Sequence, residues 1–235
     1  MEPLYINDCY LREFETTVKL VNGLYIILDN TAFYPESGGQ PSDTGKLITI
    51  DSQEFDVVFV KKTNYGISHE VNIEGLKLGE KVKGIIDWQR RYKFMRYHTA
   101  AHILSALIHN ETNAEITGNQ LKENEARIDF SLENFDRNLM MSYEEKANNI
   151  INRELPVKLS ILTREEAFKI PSLVKLRKFL PQNIQEIRIV NIEGFDIQAC
   201  GGTHVSNTKE IGKIKITDLE NKGKDRKRIY FCLKD

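Results

Sequence analysis

Ala199-Cys200-Gly201-Gly202-Thr203-His204, read with His98-Thr99-Ala100-Ala101-His102, decides how the chain is organised. Helical residues four apart stand one turn above each other, so His98 and His102 project from one face. Cys200 and His204 are also four apart, and the glycines between them permit a tight turn that aims both side chains inward. Three of the five histidines and one of the three cysteines fall in these two segments. Three imidazoles and a thiolate form a donor set suited to tetrahedral Zn²⁺. A histidine pair at this spacing is, alone, an ordinary feature of helices; the later Cys200 and His204 turn the reading toward metal. A zincin protease is excluded, because threonine and alanine stand where that motif places its glutamate base. Four protein ligands close a tetrahedron, whereas catalytic zinc keeps one position for water, so a catalytic and a shape-holding role both remain open.

A fold that serves these segments must bring a helix and a distant turn together. Working outward, residues 1–87 predict a small β-barrel or sandwich. Phe14–Val21 and Leu24–Leu28 flank Asn22-Gly23, a hairpin signal with both turn positions at positive φ. Further strands are expected at Gly45–Ile50, Phe55–Val60 and Lys81–Ile86. Tyr34 to Gly45, rich in Gly, Pro and Ser, reads as a long shaped loop. At Asp87 the pattern changes: Phe94, Tyr97, Ala101, Leu104 and Ile108 recur at helical spacing from Trp88 to about His109. Strands follow at Gln120-Leu121 and Ala126–Phe130. A capping box at Ser142-Tyr143-Glu144-Glu145 opens a helix to about Glu154, and Thr163–Glu166 repeats the pattern. Ser172–Leu180 reads as a short basic helix. Strands at Val157–Leu162, Glu186–Ile192 and Phe195–Gln198 lead to Cys200, and Ile211–Leu219 pairs with Arg228–Leu233. The expected class is α+β: a barrel domain over 1–87, then an α+β domain over 88–235 whose mixed sheet and packed helices carry the zinc site.

Composition narrows the function less. Thirty-three basic and 34 acidic residues leave a net charge of −1, so any basic surface is local. Arg90-Arg91 with Lys93 and Arg96, Lys175 with Arg177-Lys178, and Lys222–Arg228 are candidates for an RNA backbone, although such runs are usually solvated surface. The N-terminus has no signal-peptide pattern and no apolar run reaches membrane-spanning length. Three scattered cysteines suit a reducing cytoplasm. Gly38-Gly39-Gln40 matches a tripeptide with which peptide-chain release factors hydrolyse peptidyl-tRNA, and equally an ordinary turn.

His-x₃-His with Cys-Gly-Gly-Thr-His, preceded by Gly-Gly-Gln-Pro-Ser-Asp-Thr-Gly, resembles the editing domain of alanyl-tRNA synthetase and its freestanding AlaX-type relatives. The likeness extends through Ile116–Gln120, Ala126–Phe130, Arg188–Val190, Glu210–Gly212 and the Asn221–Gly223 loop, so it covers essentially the whole chain. The threonyl-type editing domain shares the metal pattern but usually carries Gly-Pro before the histidine, so Thr203 favours the alanyl type. The resemblance implies a trans-acting hydrolase that removes serine, and with it glycine, from mischarged tRNA(Ala). It implies zinc at His98, His102, Cys200 and His204, and Thr117 against the seryl hydroxyl. It also implies a barrel resembling a domain of elongation factor Tu, whose Gly38–Gly45 loop helps tell mischarged from correct tRNA. Gln40 is a candidate to reach the pocket, and the Gly201 and Gly202 amides are candidates to face an oxyanion. A non-catalytic zinc-dependent tRNA-binding module is the alternative. The oligomeric state is open, with a monomer favoured.

Overall fold

The computed structural model describes residues 2–133, 136–173, 183–224 and 226–234. The chain divides into two compact units: residues 1–95 with Leu121–Glu123, and Arg96–Gln120 with 124–235.

The first unit is built on a closed six-stranded barrel, in the order β2 (Glu13–Asn22), β3 (Tyr25–Leu28), β7 (Gly66–Val71), β6 (Glu54–Thr63), β5 (Gly45–Thr49), β8 (Lys81–Ile86). Beside it, β1 (Glu2–Pro3) pairs in parallel with β4 (Asn30–Thr31). Alternating inward residues such as Val18, Ile26, Leu47, Val57, Val60 and Val82 fill the barrel. The strand β7 was not expected from its residues, because His69 stands on its inward face between Ile67 and Val71, where an apolar side chain would mark a strand. His69 is satisfied there: Nδ1–H donates to the Ile26 carbonyl at 3.1 Å, and the Thr31 hydroxyl donates to Nε2 at 2.8 Å. Burial lowers its pKa to about 4, so the ring is neutral.

The first hairpin turns one residue later than expected. Asn22 pairs with Tyr25, so Gly23 and Leu24 form the loop, and only Gly23 has positive φ, at 57°. That is the pattern of a II′ turn. The Gly-rich loop contains its own tight turn: Ser37 and Gln40 exchange backbone hydrogen bonds at 3.2 and 3.0 Å. Gly38 and Gly39, at φ 57° and 81°, take both central positions of a I′ turn. The loop is pinned by Asp43, whose carboxylate accepts the Tyr34 N–H at 2.6 Å and is clasped by the guanidinium of Arg91. Both partners of this ion pair are buried.

The helix α1 (Trp88–Thr112) contributes its first eight residues to the first unit and the rest to the second. The second unit holds two sheets rather than the single mixed sheet expected. One has the order β14 (Lys213–Asn221), β15 (Lys227–Lys234), β10 (Ala126–Phe130), β9 (Ile116–Leu121). The other has the order β11 (Val157–Thr163), β12 (Glu186–Ile192), β13 (Asp196–Ala199). The β10–β15, β14–β15, β11–β12 and β12–β13 pairs are antiparallel. The helix α2 (Arg137–Ile151) starts before the expected Ser142, because Asp136 accepts the Asn138 and Leu139 N–H groups as its N-cap. Ser142 instead bonds back to the Leu139 carbonyl at 2.7 Å. On α2, Asn148 brackets Ile214 of the edge strand β14 at its N–H and its carbonyl, which protects that edge from further pairing. The capping box at Thr163 and Glu166 opens α3 (Arg164–Ala167) as expected. The basic helix expected over Ser172–Leu180 falls mostly outside the described residues. No helix among the described residues is long and apolar enough to cross a membrane.

Candidate metal centre

Within the second unit α1 delivers His98 and His102 one turn apart, and the chain leaving β13 delivers Cys200 and His204. One donor atom from each of the four lies within 4.8 Å of all the others. Nε2 of His98 stands 3.5 Å from Cys200 Sγ, and Nε2 of His204 stands 3.4 Å from it. The edge between a nitrogen and a sulfur ligand in a tetrahedral zinc site, computed from ordinary Zn–N and Zn–S bond lengths, is about 3.5 Å. The arrangement therefore fits the ion that the donor types call for. Nδ1 of His102 is buried without a hydrogen-bond partner.

Burial is the main cause that keeps all three rings neutral, the state in which imidazole donates a lone pair. It holds His98 and His204 well below the ordinary histidine range and His102 at about 4, with neighbouring charge, including that of Arg188, adding to the effect.

Two side chains shape this cluster that sequence reading did not single out for the role. Thr99, between the two helix histidines, places its hydroxyl 3.1 Å from Nδ1 of His204 and accepts the Val205 N–H at 3.3 Å. Such a partner fixes the ring and leaves Nε2 for a metal. Arg188 on β12 donates to the carbonyls of Cys200 and Gly202 at 2.8 and 2.7 Å, clamping the turn from behind. A charged residue between Ile187 and Ile189 on a buried strand was the available signal.

The glycines serve differently from expectation. Neither Gly201 nor Gly202 has positive φ. A Cβ added at Gly201 would meet nothing within 4 Å, so the local turn does not require glycine there. The Gly202 N–H points at Cys200 Sγ, 3.4 Å away. Thr117 lies on β9, the end strand of its sheet, with an exposed side chain. Gln40 belongs to the first unit, where its side chain is buried.

The basic runs divide: Lys93, Lys222, Lys224 and Arg226 are exposed, whereas other members are engaged within the protein. Besides clasping Asp43, Arg91 donates to the Cys9 carbonyl at 3.0 Å. Arg90 bonds the Ser42 carbonyl and Glu123, and Arg96 the Ile211 carbonyl. Lys227 is buried on the Gly223 and Lys224 carbonyls, and Arg228 pairs with Asp129. The run at Lys175–Lys178 lies outside the described residues.

Residues 187–230 match the family described as threonyl and alanyl tRNA synthetase second additional domain, and residues 7–90 match tRNA synthetases class II (A). The chain is 53% identical to alanyl-tRNA editing protein AlaX-M of Methanosarcina barkeri over 241 residues, covering 100% of this chain and 99% of that protein. The chain belongs to the AlaX-M alanyl-tRNA editing family. AlaX-M of Saccharolobus solfataricus is 47% identical, over 99% of both chains. Alanine–tRNA ligase of Pyrococcus abyssi is 38% identical over 97% of this chain, which corresponds to 25% of the ligase.

Proposed function

We propose that this chain is a trans-acting aminoacyl-tRNA deacylase that hydrolyses the ester of seryl-tRNA(Ala), and with it glycyl-tRNA(Ala). The observation that carries the reading is the convergence of His98, His102, Cys200 and His204 at zinc-ligand spacing, in a chain of the editing family. The proposed cofactor is zinc and the proposed partner is tRNA(Ala), met in the cytoplasm.

The substrate is an activated ester, so hydrolysis needs a placed water and a stabilised oxyanion more than a strong nucleophile. His98, His102, Cys200 and His204 would hold the zinc, which would supply Lewis acidity at the reacting group where one of the four yields its position to substrate or water. The chain's own residues do the positioning. Thr99 orients His204, and Arg188 holds the Cys200–Gly202 turn. With the Gly202 N–H directed at the cysteine sulfur, the Gly201 amide is the better candidate of the two to face the developing charge. Editing is an inverted sieve: serine exceeds alanine by one hydroxyl, and a site that hydrogen-bonds this hydroxyl leaves a polar group unpaired when alanine enters. Thr117 is assigned that contact.

Four donors that close a tetrahedron favour a second reading, in which zinc only holds a tRNA-binding module in shape. Deacylation of seryl-tRNA(Ala) beside alanyl-tRNA(Ala) separates the two. The deacylase clears the serine ester and spares the alanine ester; equal rates, or binding of tRNA with no cleavage of either, refute it.

A further inference from the structure

The strand β13, which leads to Cys200, has two chemically different faces. Ile197 and Ala199 pack with Ala167, Ile187 and Ile189 in one apolar cluster. Alternation places Asp196 and Gln198 on the opposite face, the one that leads to Cys200. Across the strand pair, Gln198 opposes Val190 and Asp196 opposes Ile192, both buried, so this polar pair is set among apolar neighbours rather than in open solvent. Cys200, just beyond this strand, has its Sγ 3.5 Å from Nε2 of His98.

Gln198 donates its amide Nε2–H to Asp196 Oδ2 at 2.7 Å. A carboxylate accepts only, so the NH₂ end of the amide must face it, and Oε1 is presented on the other side as an acceptor. Burial lifts the Asp196 carboxyl to about 6, which leaves it mainly ionised at neutral pH. The result is an oriented carbonyl backed by a negative charge, two residues, or about 7 Å, along the strand from Cys200.

The geometry points to Gln198 as the group that accepts the substrate's α-ammonium, with Asp196 as its positioning residue. This rests on the deacylase reading above. An aminoacyl ester has one cation, on the carbon next to the reacting carbonyl. A carbonyl dipole with a carboxylate behind it suits that cation better than the neutral seryl hydroxyl. The site would thereby select aminoacyl esters from other acyl esters of tRNA.

The test uses seryl-tRNA(Ala) and the same tRNA after nitrous acid has converted the α-amine to a hydroxyl, each rate divided by that ester's spontaneous hydrolysis. Wild type is expected to prefer the amino ester by about tenfold or more, the difference between a charged and a neutral hydrogen bond. Gln198→Leu should reduce the preference to within about threefold through KM rather than kcat, while Gln198→Glu, which keeps an acceptor, retains it. Asp196→Asn should give an intermediate preference, because its side chain can also accept the other end of the Gln198 amide. Zinc content reports folding of each variant. A preference unchanged in Gln198→Leu, or no preference in wild type, overturns the inference alone. A wild-type protein that cleaves neither ester overturns the deacylase reading and this inference with it.

Discussion

The hydroxyl of Thr99 lies 3.1 Å from Nδ1 of His204, joining residues 105 positions apart at the centre of the proposed metal site. Thr99 fixes the His204 ring so that Nε2 faces Cys200. Thr99→Val keeps the shape and removes this partner, and is expected to weaken zinc binding about 10- to 100-fold in a competitive chelator titration. Thr99→Ser, which keeps the hydroxyl, should bind like wild type. Equal affinity in wild type and Thr99→Val would show that Thr99 only fills space.

Thr117→Val tests the sieve. Losing one neutral hydrogen bond should slow clearance of seryl-tRNA(Ala) about five- to tenfold and change glycyl-tRNA(Ala) by less than about twofold, since glycine carries no hydroxyl. Parallel losses on both esters would make Thr117 a structural residue of β9.

The Asp43–Arg91 pair is buried on both sides. Asp43→Ala strands the guanidinium and also releases the Tyr34 N–H, so the loss of stability in urea unfolding should be about 3–5 kcal/mol. Trp88, the single tryptophan, belongs to the first unit and reports its unfolding by fluorescence. A loss below about 1 kcal/mol would mean that the loop does not depend on this clasp.

His69 makes the barrel acid-sensitive. Its folded pKa, about 4, is below the ordinary value of 6.5, so under acid the unfolded chain binds the extra proton. Its contribution is present above pH 6.5, falls as pH drops toward 4, and is constant below that. Between pH 7 and pH 5.5 wild type should lose about 1 kcal/mol more than His69→Gln, followed through Trp88 fluorescence in urea. Identical pH slopes would contradict the neutral buried ring.

What could be read in advance follows from how local each signal is. The metal quartet was legible because donor type and spacing survive without knowledge of the fold, and the Thr163 capping box because both partners lie within four residues. The barrel was legible except for β7, where the buried His69 is satisfied by Ile26 and Thr31, groups far along the chain that a local pattern does not show. The start of α2 was misplaced because Asp136, six residues before Ser142, makes the bonds that Ser142 was expected to make. Gly201 and Gly202 suggested a conformational need that their φ values do not show. The basic runs suggested a surface, whereas Arg91 and Lys227 are buried among acceptors supplied from elsewhere in the fold. Asp196 and Gln198 were passed over because polar residues on a strand read as solvent-facing until the buried partners Val190 and Ile192 on β12 are in place.

One zinc, held by the helix histidines and the Cys200–His204 turn, is proposed to support hydrolysis of a mischarged ester. The most direct test is the deacylation rate of seryl-tRNA(Ala) with zinc bound, after zinc is stripped by chelation, and after zinc is returned, with metal content measured each time. Activity, its loss and its recovery should follow a content of one zinc per chain. Full activity in protein shown to hold no zinc would contradict it.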